Sequence, residues 1–229
     1  MRPFSTEYII KSLKILAPFI GKSLLVMVLS VFFGTVLGFF LAWGRLSKCK
    51  VCKSLSSVYV HIIRCTPSIV LLFIVYYGLP KLGEIWFGIR AGYNGKLLYV
   101  VITLSLLFAS AMCELFRSSY ESVDVGQSEA AFTLGMSKFQ TARLIIIPQA
   151  LSSAFPVFCN EVVSLLKQGS LAFTIGFIDL MGEAQVIVAR DYGAHGLETY
   201  IALALIYWGI TILIEQITNA IERGRNKWN

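Results

Sequence analysis

Several polar residues interrupt otherwise apolar runs of this chain, at spacings that group them. His61, Arg64, Cys65 and Ser68 fall on one arc of about 100° if the segment is helical, and Pro67 beside them removes a backbone donor and kinks the helix. Asn160, Glu161, Ser164, Lys167 and Gln168 share an arc of about 120°, opposite Val162, Val163, Leu165 and Leu166, which suit lipid or a neighbouring helix. Ser110, Glu114 and Arg117 line a third stripe. A charge held inside a membrane costs ~2.5–3.5 kcal/mol, so each such group is a candidate for contact with a polar solute. The alternative is a permanent Arg64–Glu161 or Lys167–Glu161 ion pair. Glu114, Arg117 and Pro67 read as gate or structural groups, and His61 as a structural histidine.

Other chemistries find less support. The two histidines, His61 and His195, lie far apart and no nucleophile–base spacing stands out, so an enzyme is not expected. Cys49 and Cys52 form one C-x-x-C without the second ligand pair that a tetrahedral zinc site needs, and read as part of a reduced basic loop. Cys65, Cys113 and Cys159 read as small core residues. Gly21-Lys22-Ser23 looks like the end of a phosphate-binding loop, but Leu16 stands where its first Gly is required, and Lys22 reads as a snorkelling residue. No metal and no cofactor is expected on the chain itself. The net charge of +7 comes without a basic-aromatic cluster, so anionic headgroups of membrane lipid are the expected partner rather than nucleic acid.

The elements that must position these groups follow from composition. The chain has 229 residues, 56% hydrophobic and 14% charged, whereas a soluble domain is nearer a quarter charged. Ser23 to Gly44 carries no charge and is long enough, at ~1.5 Å per residue, to cross a ~30 Å hydrocarbon core. Val58 to Pro80, Leu97 to Cys113, Leu144 to Leu166 and Thr199 to Ala220 complete about five transmembrane helices, without the alternation of a barrel strand. The first apolar run is too long for a signal-peptide core. Before it, Ser5 or Thr6 caps an amphipathic helix with Ile9, Leu13 and Leu16 on one face, expected to lie along the membrane surface until Pro18 ends it. Arg45, Lys48, Lys50 and Lys53, with no acid among them, mark the loop after span one as cytoplasmic. The amino terminus is then outside and the tail with Arg223, Arg225 and Lys227 inside. The outer segment from Ser170 to Glu198 is expected to hold one short half-buried helix over Ile178 to Val188. No repeat divides the chain, and a single domain, 1–229, is expected.

Between two spans lies a polar segment, about 120–147. Ser122 to Ser137 reads as a short amphipathic helix with Ala130, Ala131 and Leu134 as its apolar edge and Glu129 as its charged one. Gly135 ends it by taking φ > 0, and Lys138 to Leu144 leads into Pro148, which suits the first turn of the next span. The result is a helix-turn-helix lever joined directly to membrane helices.

Glu129-Ala130-Ala131, three residues, Gly135, nine residues and Ile145-Ile146-Ile147-Pro148 resembles the Glu-Ala-Ala loop of ABC importer permeases, with Ile147 in place of Leu. Glu114-Leu115-Phe116-Arg117, Arg64-Cys65-Thr66-Pro67, Tyr77-Gly78-Leu79-Pro80, Asn160-Glu161 and the run from Ser164 to Ala172 are similar to the polar amino acid branch. The departures are Cys159, where Gly is common, and Gln168-Gly169 in place of Asp-Thr. The resemblance implies a subunit in a bacterial plasma (inner) membrane that pairs with a second permease subunit, as homodimer or heterodimer, around a translocation path. Two ATPase subunits, which carry the ATP and Mg, grip the loop as a cytoplasmic coupling helix. An extracytoplasmic solute-binding protein delivers a polar amino acid. Arg64 and Glu161 offer such a zwitterion the cationic and anionic groups it needs. Glu129, Ala130, Ala131, Gly135 and Pro148 would serve the ATPase contact. An ion-coupled secondary transporter or channel is the alternative, but it leaves the lever without a purpose.

Overall fold

In the computed structural model, residues 4–88 and 95–226 are described, and every regular element among them is helical. Lys227 lies outside them. In chain order the helices are α1 (Thr6–Leu16), α2 (Ile20–Leu46), α3 (Lys50–Cys65), α4 (Ser68–Phe87), α5 (Lys96–Glu121), α6 (Val125–Thr133), α7 (Lys138–Thr141), α8 (Ile147–Gly169), α9 (Leu180–Arg190) and α10 (Gly196–Asn226). Five helical stretches are long and apolar enough to cross a membrane: Thr6–Leu46, Ser68–Trp86, Lys96–Glu121, Lys138–Ile175 and Gly196–Gly224. They correspond to the five expected spans. The chain forms two compact units, one of Met1–Ser30, Pro67–Leu104 and Val162–Asn229, the other of Val31–Thr66 and Ser105–Glu161.

In the first unit the amphipathic face of α1 has a protein partner. Leu16 is fully buried with Leu180, Ala184 and Ile187 of α9 and Ala202 and Leu203 of α10, and Ile9 and Leu13 pack against the same cluster. Ser5 caps α1 by accepting from the Tyr8 N–H, and its own N–H donates to Glu198 at 3.2 Å. Ser12 and Thr199 hydroxyls meet in the buried seam at 3.5 Å. The helix therefore does not lie with that face on lipid. Nor does Pro18 end it: Ala17–Phe19 tightens into a 3₁₀ turn and the helical run continues from Thr6 to Leu46. Pro18 stands at the first positions of that turn, where its fixed φ suits the helical backbone. The short helix expected outside the spans is α9, begun by Asp179, whose carboxylate accepts from the Gly182 N–H at 3.0 Å. Ser23 donates to the same carboxylate at 3.1 Å, so the Gly-Lys-Ser tripeptide is a packing element, with Lys22 over the Phe19 ring.

In the second unit α2 and α5 approach closely at Gly34 and Gly38. A Cβ on Gly38 would stand 2.5 Å from the Met112 Cβ and 2.9 Å from the Ala109 carbonyl oxygen, and one on Gly34 would meet Phe108 at 2.8 Å. Two glycines four residues apart let helix backbones touch where apolar side chains gain nothing by leaving lipid. α3 packs through Val60 against Ala42 and Cys113, and its Tyr59 hydroxyl donates to the Leu106 carbonyl at 2.9 Å.

The run from Val58 to Pro80 is not one helix. α3 stops at Cys65, Thr66 is extended (φ −95°, ψ 124°), and α4 begins afresh at Ser68. The residue before a proline is driven out of the helical region by the ring, so Pro67 breaks the helix where a kink was expected. The common arc of His61, Arg64 and Ser68 is lost with it. Two cysteine expectations also change. Cys49 and Cys52 lie at the start of a helix rather than in a loop, and Cys65 at the end of α3 is exposed, leaving Cys113 as the fully buried one.

Candidate functional site

The lever segment is built by local capping. Asp124 starts α6, its carboxylate accepting from the Gly126 N–H at 2.6 Å, which shortens the expected helix at its amino end. At the other end Gly135 takes φ 79°, and the Met136 N–H bonds the Ala131 carbonyl at 3.1 Å, closing a left-handed cap. Ser137 then opens α7 with a reciprocal capping box: its hydroxyl accepts from the Gln140 N–H at 3.3 Å, and the Gln140 amide accepts from the Ser137 N–H at 2.8 Å. The Ser-Lys-Phe-Gln spacing in the sequence is a sufficient signal for that box, although sequence reasoning passed over it. The chain runs on through a π-helical turn, Ala142–Ile146, into α8. Pro148 stands in the first turn of α8 as expected, but helix already precedes it. The wider π turn closes just before the proline, with the Ile147 N–H bonded to the Ala142 carbonyl.

The apolar edge of the lever differs from expectation. Ala131 is buried, whereas Ala130 and Glu129 are exposed and Leu134 is 82% exposed. Phe139 on α7 is exposed as well, and Phe132 nearly half so. This segment therefore presents a bare apolar surface next to a carboxylate, on a scaffold held by capping bonds.

The polar groups of the spans fall into separate sets. Within the first unit Ser68 donates to the Gln168 amide oxygen at 3.2 Å, and the Gln168 amide nitrogen donates to Ser164 at 3.3 Å. This ladder joins the start of α4 to the end of α8. Lys167 beside it is exposed, while Leu165 and Leu166 on the opposite face are buried against protein. Within the second unit Glu114 accepts from Arg45 and from Arg117, the latter at 3.0 and 3.3 Å, and Arg117 also holds Glu121. This network supports a structural reading for Glu114 and Arg117. Arg45 was read only as a loop charge, and its pairing with a residue far along the chain has no local signal.

Asn160 is exposed and Glu161 half-buried on α8. Neither makes a side-chain hydrogen bond or ion pair among the described residues, and the same holds for Arg64. The Arg64–Glu161 ion pair is therefore not formed. Arg64 instead opens, with Arg45, Lys50, Lys53, His61 and Glu114, on a cavity of about 870 Å³. Uncommitted polar groups on a membrane helix are free to exchange hydrogen bonds with a passing solute. Among the described residues no cluster of three metal-ligating side chains occurs.

Membrane-spanning helices that carry uncommitted polar groups, joined to a capped lever with a bare apolar face, define a transport permease. Residues 34–227 match the family described as "Binding-protein-dependent transport system inner membrane component". The chain is 39% identical over 208 residues to the L-cystine transport system permease protein TcyL of Bacillus subtilis, covering 91% of this chain and 86% of that one. It is 34% identical to the probable amino-acid ABC transporter permease protein PatM of Vibrio harveyi, over 98% and 97% of the two chains. A chain from the crystal structure of an amino acid ABC transporter with histidines superposes with a TM-score of 0.84 at 29% identity, covering 97% of this chain and 99% of that one. The chain belongs to the binding-protein-dependent ABC importer permeases, in their amino acid branch. It is a multi-pass inner-membrane component and not the ATPase, which in this family is a separate subunit alongside a binding protein.

Proposed function

We propose that this permease carries a polar or charged L-amino acid inward, driven by ATP hydrolysis on two ATPase subunits that seat on the segment from Glu129 to Pro148. The whole chain, 1–229, acts as one permease domain. It pairs with a second permease subunit and receives its solute from an extracytoplasmic binding protein. The amino terminus lies outside and the lever and carboxyl terminus in the cytoplasm. The observation that carries this reading is α8 itself. Its first turn holds Pro148 at the lever, and Asn160 and Glu161, about three turns on, have polar side chains with no hydrogen-bond or ion-pair partner among the described residues. Movement imposed at the lever is thereby transmitted along one continuous helix, interrupted in its hydrogen bonding only at Pro156, to groups that can grip a solute.

Glu161 supplies the anionic group for the ammonium of the solute, and Arg64 the fork for its carboxylate. Asn160, Ser164, Ser68, Gln168 and Lys167 complete the candidate contacts. ATP binding then shifts the balance between inward- and outward-open packings by its differential affinity for them. In reconstituted importer, Glu161→Ala is expected to abolish uptake while the complex with the ATPase still copurifies. Normal uptake by that variant would remove Glu161 from the path. Uptake that follows a proton gradient and ignores ATP would favour the ion-coupled alternative.

A further inference from the structure

α3 divides lengthwise into three faces. Lys50, Lys53, Ser57, His61 and Arg64 occupy an arc of about 80°, and Val51, Leu55, Val58 and Ile62 an adjoining arc of about 60°. The third face, Ser56, Val60 and Ile63, is buried against the rest of the second unit. The apolar stripe is 52–66% exposed, and the helix that bears it ends at the break just before the span from Ser68. The basic stripe forms one wall of the 870 Å³ cavity, with Arg45 and Glu114 opposite. Glu114 is the cavity's one carboxylate and is already held by Arg45 and Arg117. Lys50 and Lys53 make no ion pair among the described residues, and Arg64, a candidate solute contact, stands at the far end of the stripe.

A surplus of cations in an open cavity, directly beside a bare apolar stripe at a membrane boundary, is complementary to an anionic amphiphile. A free phosphate ion would answer to the cavity alone. A second permease chain laid on the stripe would answer to the apolar residues, whereas the adjoining cations call for an anionic group beside them. We propose that the Lys50–Lys53 end of this cavity holds the phosphodiester headgroup of an anionic phospholipid, with its acyl chains along Val51, Leu55, Val58 and Ile62, and leaves Arg64, about four turns away, to the solute. Lys50 and Lys53 supply the charge that Arg45 cannot, being engaged with Glu114. Assignment to the cytoplasmic leaflet rests on the orientation proposed above; the site itself does not.

The test uses the intact importer in phosphatidylcholine nanodiscs with and without phosphatidylglycerol, and reads the lipid released with the permease by native mass spectrometry. No amino acid is added, so lipid retention is scored separately from transport. Wild type is expected to retain phosphatidylglycerol in preference to phosphatidylcholine. The double variant Lys50→Gln/Lys53→Gln should lose that preference by roughly tenfold or more, since each interfacial lysine contributes substantially to anionic-lipid attraction. Lys50→Arg/Lys53→Arg should keep it. Equal retention by wild type and the glutamine variant overturns the proposal. Displacement of the lipid by inorganic phosphate alone reassigns the cavity to a free anion and overturns it too. So does capture of a second permease chain by a short cross-linker at Leu55→Cys in a background with Cys49, Cys52 and Cys65 replaced by Ser.

Discussion

At the scale of single residues, commitment separates structural polar groups from functional candidates. Glu114 and Arg117 each have two partners, whereas Asn160, Glu161 and Arg64 have no side-chain partner among the described residues. Residue type alone did not distinguish them, because a carboxylate on an apolar helix looks the same in sequence whether or not a distant arginine meets it. Asp179 is a separate case. Burial pushes its carboxyl above the usual carboxylate range, against the opposing hydrogen bonds from the Gly182 N–H and the Ser23 hydroxyl. A folded-state value raised above the unfolded one contributes stability that is complete below the unfolded value and is lost as pH rises through the folded one. The melting temperature of the complex should therefore climb as pH falls from neutral toward the carboxylate range. Asp179→Asn, which can still cap α9, should flatten that slope. A slope identical to wild type would show that some other group sets it.

At the scale of elements, two glycines act in opposite ways. Gly38 has no room for a side chain, with a Met112 Cβ and a backbone carbonyl in the way, so Gly38→Leu must spread α2 from α5. Overpacking of this kind costs about 1–3 kcal/mol, and a lower melting temperature with reduced membrane yield is expected. Gly135 has open space around it, and only its φ of 79° resists substitution. Gly135→Val should weaken ATPase copurification through the backbone, while Gly135→Asn, whose side chain tolerates the left-handed region, should largely keep it. Equal losses from both would point to bulk instead. The elements themselves were largely legible: Gly135 as a stop, Pro148 in a first turn, and a short helix outside the spans realised as α9. Misreadings came where proline met tertiary context. Pro67 broke a helix because the ring excludes Thr66 from helical dihedrals, whereas Pro18 was absorbed in the 3₁₀ turn Ala17–Phe19 between α1, packed on α9 and α10, and α2.

For the whole molecule, charge placement implies sidedness. The break after span one carries Cys49 and Cys52, both exposed, among Lys48, Lys50 and Lys53. With Cys65 replaced by Ser, a membrane-impermeant maleimide should label these thiols in inside-out vesicles and spare them in right-side-out ones. The reverse pattern would invert the proposed orientation. The two thiols should also differ. The backbone N–H of Cys52 holds the Cys49 thiol below its ordinary value, while the neighbouring Cys49 pushes Cys52 up. Cys49 should therefore alkylate first as pH is raised.

The sequence by itself determined that the chain crosses a membrane about five times and that a capped lever interrupts the spans. Both depend on runs of neighbouring residues, and helix length, apolarity and capping are properties of short windows. Tertiary structure alone decided which face of α1 meets protein, that Arg45 answers Glu114, and that Ser68, Gln168 and Ser164 form one ladder. It also left Glu161 without a side-chain partner among the described residues and gave α3 a basic wall beside a bare apolar stripe. These outcomes turn on pairings between residues far apart in the chain, whose strength depends on distance and burial that no local window encodes.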